Sequence, residues 1–238
     1  MDTSEKTVEE PQSRGLGGGL LTRHGKPVVA IASLLAVVSM ALLFLTMADS
    51  QLRTLLVGVV AVLWLFVLNF FRNPQRTIPP GGVVVSPADG TVISVVEVDD
   101  DTYVGGPAVR VSIFLSIFNV HVNRVPAAGI VEHLEHRPGT FRSATSADAR
   151  ETNECQEIGI RMADGTPVLL RQIAGLIARR IVCPLEIGQS LEKGFDFGMI
   201  RFGSQTEITL PHRNGVPFRT VVSAGQKLKG GESVIGEW

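Results

Sequence analysis

The dipeptide Gly203-Ser204 lies within Gly198-Met199-Ile200-Arg201-Phe202-Gly203-Ser204-Gln205-Thr206-Glu207-Ile208. The Ser204 hydroxyl can reach the carbonyl carbon just upstream of it. Glycine offers no side chain to shield that carbonyl, and it permits the strained backbone an N-to-O acyl shift requires. Attack by Ser204 on the Gly203 carbonyl gives an ester. β-Elimination then frees the upstream piece and leaves dehydroalanine. Hydrolysis of its imine tautomer releases ammonia and leaves a pyruvoyl group. Such a ketone condenses with an amine and draws off electrons as carbon dioxide leaves. The same dipeptide also suits an ordinary turn between two strands.

A proton acceptor or donor is needed nearby. His121 ends an apolar run in Phe118-Asn119-Val120-His121-Val122-Asn123-Arg124-Val125-Pro126 and is the best placed of the five histidines. The alternative is a structural histidine in a strand end. His24 lies in a polar tail, and His212 follows a strand and precedes a turn. His133 and His136 are three apart, which on a strand puts them on opposite faces, so no shared metal is expected. Asp89, in Ser86-Pro87-Ala88-Asp89-Gly90, fits a β-turn, or a carboxylate that orients a base or itself activates Ser204. Arg124, Arg179 and Arg180 are candidates for holding a phosphate, or else solvated or structural arginines.

The elements that must position these residues follow from composition. The chain has 238 residues and a net charge of -1, which suits a globular domain plus an anchor and argues against nucleic acid as a partner. Its two cysteines, Cys155 and Cys183, read as reduced thiols facing the cytosol, without zinc-ligand spacing. Residues 1–26 are polar and glycine-rich and read as a disordered tail. Residues 27–48 and 55–71 are apolar and long enough to cross a hydrocarbon core of roughly 30 Å, so 27–71 should form a transmembrane hairpin. Arg14, Arg23 and Lys26 precede it, Arg72 and Arg76 follow it, and the loop holds only Arg53. The positive-inside rule places both ends at the cytoplasmic face of the cell membrane.

From Arg72 the composition changes. Pro74, Pro79, Pro80, Gly81 and Gly82 form a turn-rich linker. Strands are expected at 83–85, 91–98, 109–117, 130–136, 157–162, 168–173, 205–210 and 233–235. Residues 72–238 therefore read as a β-dominated, sandwich-like α+β domain. Residues 172–182 fit helix and strand periods equally.

Six stretches occur in order: Phe71-Arg72-Asn73-Pro74, the Asp89 turn, the His121 run, Pro138-Gly139-Thr140-Phe141, Gln172-Ile173-Ala174-Gly175-Leu176-Ile177-Ala178-Arg179-Arg180-Ile181 and Arg201-Phe202-Gly203-Ser204. Together they resemble the phosphatidylserine decarboxylases, in the short form of many bacteria and archaea, from about residue 70 to the end. The resemblance implies self-cleavage between Gly203 and Ser204. Residues 1–203 would become a β chain and 204–238 an α chain that begins with a pyruvoyl group, the two forming a heterodimer. Higher assembly is left open. It also implies that membrane phosphatidylserine is decarboxylated to phosphatidylethanolamine, with His121 as proton donor and no metal. Longer relatives have a second histidine three positions beyond the one matching His121, in a self-cleavage triad with the aspartate matching Asp89. Arg124 stands there in this chain, so the base for cleavage is His121, Asp89 or a water held by either.

Two other classes are weaker. A biotinyl- or lipoyl-like module would use Gly225-Gln226-Lys227-Leu228-Lys229-Gly230-Gly231, but the lysines lack the usual Met-Lys or Asp-Lys context. A membrane-anchored metallopeptidase would need a histidine triad that the spacing does not offer.

Overall fold

The computed structural model describes residues 19–100, 102–143, 149–176, 180–201, 204–213 and 216–238. Most of the expected tail, Gly203 and Arg179 lie outside them.

Helices α1 (Lys26–Thr46) and α2 (Ser50–Phe70) follow the two apolar runs. Pro27 sits in the first turn of α1, where its missing N–H has no partner to lose. Asp49 caps α2 by accepting the N–H groups of Gln51 and Leu52 at 2.9 and 3.0 Å. That cap starts α2 five residues before the apolar run itself. Trp64 Nε1 on α2 donates to Ser33 Oγ on α1 at 2.9 Å, joining the helices. Leu34, Leu45, Val62 and Leu63 stay exposed, and both helices are long and apolar enough to cross a membrane.

Among the described residues after α2, the regular elements are strands, apart from the single turn of α3 (Ala149–Thr152). In chain order the strands are β1 (Val84–Val85), β2 (Gly90–Asp100), β3 (Gly106–Leu115), β4 (Val122–Arg124), β5 (Gly129–Arg137), β6 (Cys155–Arg161) and β7 (Pro167–Ile173). They continue with β8 (Arg180–Val182), β9 (Ser190–Leu191), β10 (Asp196–Arg201), β11 (Ser204–Pro211), β12 (Arg219–Thr220), β13 (Lys227–Leu228) and β14 (Val234–Glu237). An eight-stranded antiparallel sheet runs β13-β2-β3-β11-β7-β6-β5-β9, with small sheets β4-β10-β8 and β1-β14-β12 beside it. The β-dominated expectation holds. The ambiguous 172–182 segment is strand at each end: β7 keeps its ladder to β6 and β11 through Ile173, and β8 then pairs with β10.

β11 is the strand on which the sheet is built. It pairs with β3 from Ser204↔Leu115 to Pro211↔Ala108, and with β7 from Gln205↔Ile173 to Thr209↔Leu169. All eight of its residues are buried. Period-two alternation sends Ile208 and Leu210 into the main core with Val111, Ile113 and Leu170. Ser204 and Thr206 share that face. Gln205, Glu207 and Thr209 point to the other face, in register with Ser112 and Arg171.

The β4-β10-β8 sheet covers the Ser204 end of the core face. A side chain at Gly198 of β10 would collide with the Val182 carbonyl on β8, so glycine lets these two neighbouring strands pair. The helices dock here: Met199 packs with Val29, Phe70 and Phe71. Beneath that contact, Asn73 Nδ2 donates to Asp196 at 2.8 Å and Asn73 Oδ1 accepts from Arg124 at 2.6 Å, which fixes the linker to β4 and β10.

Since Ile208 is fully buried between two paired strands, Ile208→Ala should cost about 3 kcal/mol. Denaturant unfolding of the detergent-solubilised protein measures it.

Candidate active site

Ser204 opens β11 and is fully buried, and its Oγ has no hydrogen-bond partner among the described residues. An orphaned buried hydroxyl costs about 1–3 kcal/mol, a cost the sheet around it must offset. Two residues further along the same face, Thr206 Oγ1 accepts from Asn123 Nδ2 at 3.0 Å. Asn123 Oδ1 in turn accepts from Gln172 Nε2 at 2.8 Å. All three side chains are closed to solvent, and Gln172 Oε1 is left without a partner among the described residues. β4, β7 and β11 thus place a small polar cluster in an otherwise apolar layer.

His121 precedes β4. It stands two residues before Asn123, whose side chain bonds Thr206, two residues after Ser204 on β11. The imidazole is fully buried and lies against the Phe70 ring, with centroids 4.2 Å apart. Nδ1 is 3.0 Å from the Asn119 carbonyl. A carbonyl can only accept, so Nδ1 carries the proton and Nε2 the lone pair. Burial, and then the Arg72 charge, push the His121 pKa down to about 4, against the upward pull of the Asn119 bond. The ring is therefore neutral near pH 7.

The His121 loop is held by α2. Arg72 Nη2 donates to the Phe118 carbonyl at 2.8 Å, and Phe66 meets the exposed Phe118 edge-on with centroids 6.5 Å apart. Asn119 Oδ1 closes the turn by accepting from the Ser116 N–H and hydroxyl at 2.9 and 2.8 Å.

The other predicted residues are placed differently. Both Asp89 oxygens accept the Arg76 guanidinium, at 2.9 and 2.8 Å, and Oδ1 also accepts the Gly230 N–H at 2.8 Å. Arg124 is buried and donates to the carbonyls of Gly194 (3.0 Å) and Pro74 (3.2 Å) as well as to Asn73. Arg180 is exposed on β8, in register with Arg201 on β10. Burial and the neighbouring Arg180 charge lower the Arg201 pKa, and its Nη2 donates to the His24 carbonyl at 3.2 Å.

Sequence reasoning did not single out Asn123, Thr206, Gln172, Arg201 or Phe70. The available signal was polar residues inside apolar strands, which burial forces to find partners. It also missed that His133, Glu135 and Glu157 bring their ligand atoms within 4.8 Å of one another, because Glu157 comes from the next strand. One Glu157 oxygen is already held by Arg171 and Arg137, at 2.8 and 3.2 Å.

Two outcomes follow from these contacts. Arg124→Met removes the donor that Asn73 Oδ1 and the Gly194 carbonyl accept from, so it should lower unfolding stability by about 2 kcal/mol while leaving substrate KM near wild type in the folded fraction. For His121, the unfolded chain binds a proton below about pH 6.5 and the folded chain does not until about 4. Stability should therefore fall by up to about 3 kcal/mol as pH drops through that window, and His121→Phe should flatten the fall. Unfolding midpoints across pH measure both.

A family model described as phosphatidylserine decarboxylase matches residues 63–236. The chain is 50% identical over 178 residues to the phosphatidylserine decarboxylase proenzyme of Carboxydothermus hydrogenoformans, covering 74% of this chain and 82% of that protein. It is 45% identical over 186 residues to the proenzyme of Salinibacter ruber, covering 77% and 78%. It is 44% identical over 218 residues to that of Symbiobacterium thermophilum, covering 91% and 95%.

Proposed function

Because the chain belongs to the phosphatidylserine decarboxylase family, we propose that it converts phosphatidylserine to phosphatidylethanolamine and carbon dioxide with a pyruvoyl group made from its own Ser204. The observation that carries this reading is the buried Ser204 hydroxyl at the head of β11, which has no hydrogen-bond partner among the described residues. The word proenzyme in the relatives' names supports processing of a precursor.

Self-cleavage starts at neutral His121. Nε2 takes the Ser204 Oγ proton as Oγ bonds to the Gly203 carbonyl carbon. The C–N bond then breaks as the Ser204 nitrogen takes that proton, leaving the ester. Elimination and hydrolysis release ammonia. The residues present suit the product: among the described residues nothing competes for a hydrogen bond with the Ser204 hydroxyl, and Gln172 Oε1 is an acceptor for the substrate amine. The pyruvoyl group supplies a ketone that takes up electrons as carbon dioxide leaves. His121, once protonated, is also the group that can return a proton to the substrate carbon. Burial of the site keeps bulk water from competing for that proton.

Asp89 acts at a distance. With both oxygens on Arg76 and Gly230, it shapes the turn before β2 and leaves the base role to His121. Arg180 and Arg201, adjacent where the helices dock, are the cations for the lipid phosphate, while Arg124 is buried and donates to Gly194, Pro74 and Asn73. The hairpin of residues 27–71 spans the cell membrane and holds the domain of residues 72–238 against its cytoplasmic face. After cleavage the α chain, residues 204–238, keeps β11 at the centre of the sheet, because its loss would bare two rows of backbone donors and acceptors. The α and β chains therefore remain a heterodimer.

A denaturing gel of purified protein should show two chains that co-elute under native conditions. Ser204→Ala should give one uncut, inactive chain, and His121→Ala an uncut chain as well. A cut but inactive His121→Ala protein would confine His121 to the proton return, and an uncut, active wild-type chain would overturn the reading.

A further inference from the structure

The face of the central sheet turned away from Ser204 is polar. Across it, Glu157, Arg171, Glu207 and Ser112 stand in one register row on β6, β7, β11 and β3. Here a cavity of about 460 Å³ is lined by four arginines, Arg110, Arg137, Arg150 and Arg171, from three strands and α3. Of the carboxylates around them, Glu157, Glu207 and Asp100 are already engaged. Glu157 Oε1 accepts from Arg171 at 2.8 Å and lies 3.2 Å from Arg137. Glu207 accepts from Arg150 (3.1 Å), Ser112 (3.0 Å) and Gln205 (2.8 Å). Asp100 Oδ1 is used by the Thr102 N–H and hydroxyl at 3.0 and 2.8 Å.

Donors are left over. Arg171 is only 4% exposed, yet its Nη1 is buried without a partner among the described residues, and so is Arg137 Nε. Arg110 makes no hydrogen bond or ion pair to any described residue. Burial, and then the adjacent Arg150 charge, lower its pKa against the upward pull of Glu207, Asp100 and Glu151. Arginine forks match phosphoryl oxygens in geometry and charge.

We propose that this cavity is a second ligand site, taking the phosphoryl group of a small soluble molecule on Arg110, Arg171 and Arg137. Asp99 and Glu151 stand exposed at its rim, so hydroxyl or ammonium groups at the ligand's outer end are accepted there. The helices dock on the β4-β10-β8 layer, which covers the opposite face. The ligand is accordingly a solute and not a lipid headgroup. The site is independent of the Ser204 chemistry, so its test stands apart from that reading.

The experiment titrates the full chain in detergent with inorganic phosphate and pyrophosphate at constant ionic strength, reading heat of binding and unfolding midpoint. Saturable binding is expected, with pyrophosphate tighter, and Arg110→Gln should weaken it about tenfold. Arg110→Lys should recover part of the loss, and Ser204→Ala should bind like wild type. Arg137→Gln, on another strand, should also weaken binding. Equal binding by wild type and Arg110→Gln, or no saturation at millimolar anion, would overturn the proposal. So would a loss of binding to anionic vesicles in Arg110→Gln with phosphate binding unchanged, which would make the source a headgroup.

Discussion

The molecule is organised by the hydrogen bonding of β11 on both edges. β3 and β7 hold it over most of its length, and none of its residues reaches solvent. A backbone broken at the first residue of such a strand loses one covalent bond and keeps its ladders. The same strand separates two environments by alternation alone. Ser204 and Thr206 look toward the small sheet and the core, while Gln205 and Glu207 look into a field of arginines and carboxylates. A one-residue slip of register would exchange them.

The second constraint is the attachment of α2. Phe70 lies on the His121 ring, Phe66 on Phe118, and Arg72 on the Phe118 carbonyl. These contacts do two jobs at once. They dock the α2 end of an apolar helix pair onto the strand domain, and they strip water from an imidazole, which keeps it neutral. Under the proposed function, the element that reaches the lipid is the one that tunes the base, so bilayer anchoring and proton chemistry share one set of side chains.

Much of this was legible in the residues. Alternating apolar runs between Gly, Pro and Asp punctuation gave the β-dominated domain, and two long apolar runs gave two helices. α2 began earlier than the run because Asp49 supplied a cap. The ambiguous 172–182 segment could not be resolved locally, since neighbouring strands decided it. At the site, sequence gave residue types and order but not partners. Asp89 read as a β-turn residue or as a carboxylate serving a base, and the sequence did not show that Arg76 and the Gly230 N–H bond its oxygens. Arg124 read as either a phosphate candidate or a structural arginine, and its bonds to Asn73, Pro74 and Gly194 could not be read from its position in the chain. Such pairings join positions far apart in the chain and leave no periodic trace. The Asn123–Thr206–Gln172 cluster was hidden for the same reason.

The central claim is that Ser204 becomes the reactive ketone, and the mass of the C-terminal fragment from natively purified protein tests it most directly. A fragment of residues 204–238 lighter by one ammonia than the serine-ended peptide is the predicted result. A fragment with an intact amino-terminal serine, or a chain that yields no fragment while remaining active, would contradict it.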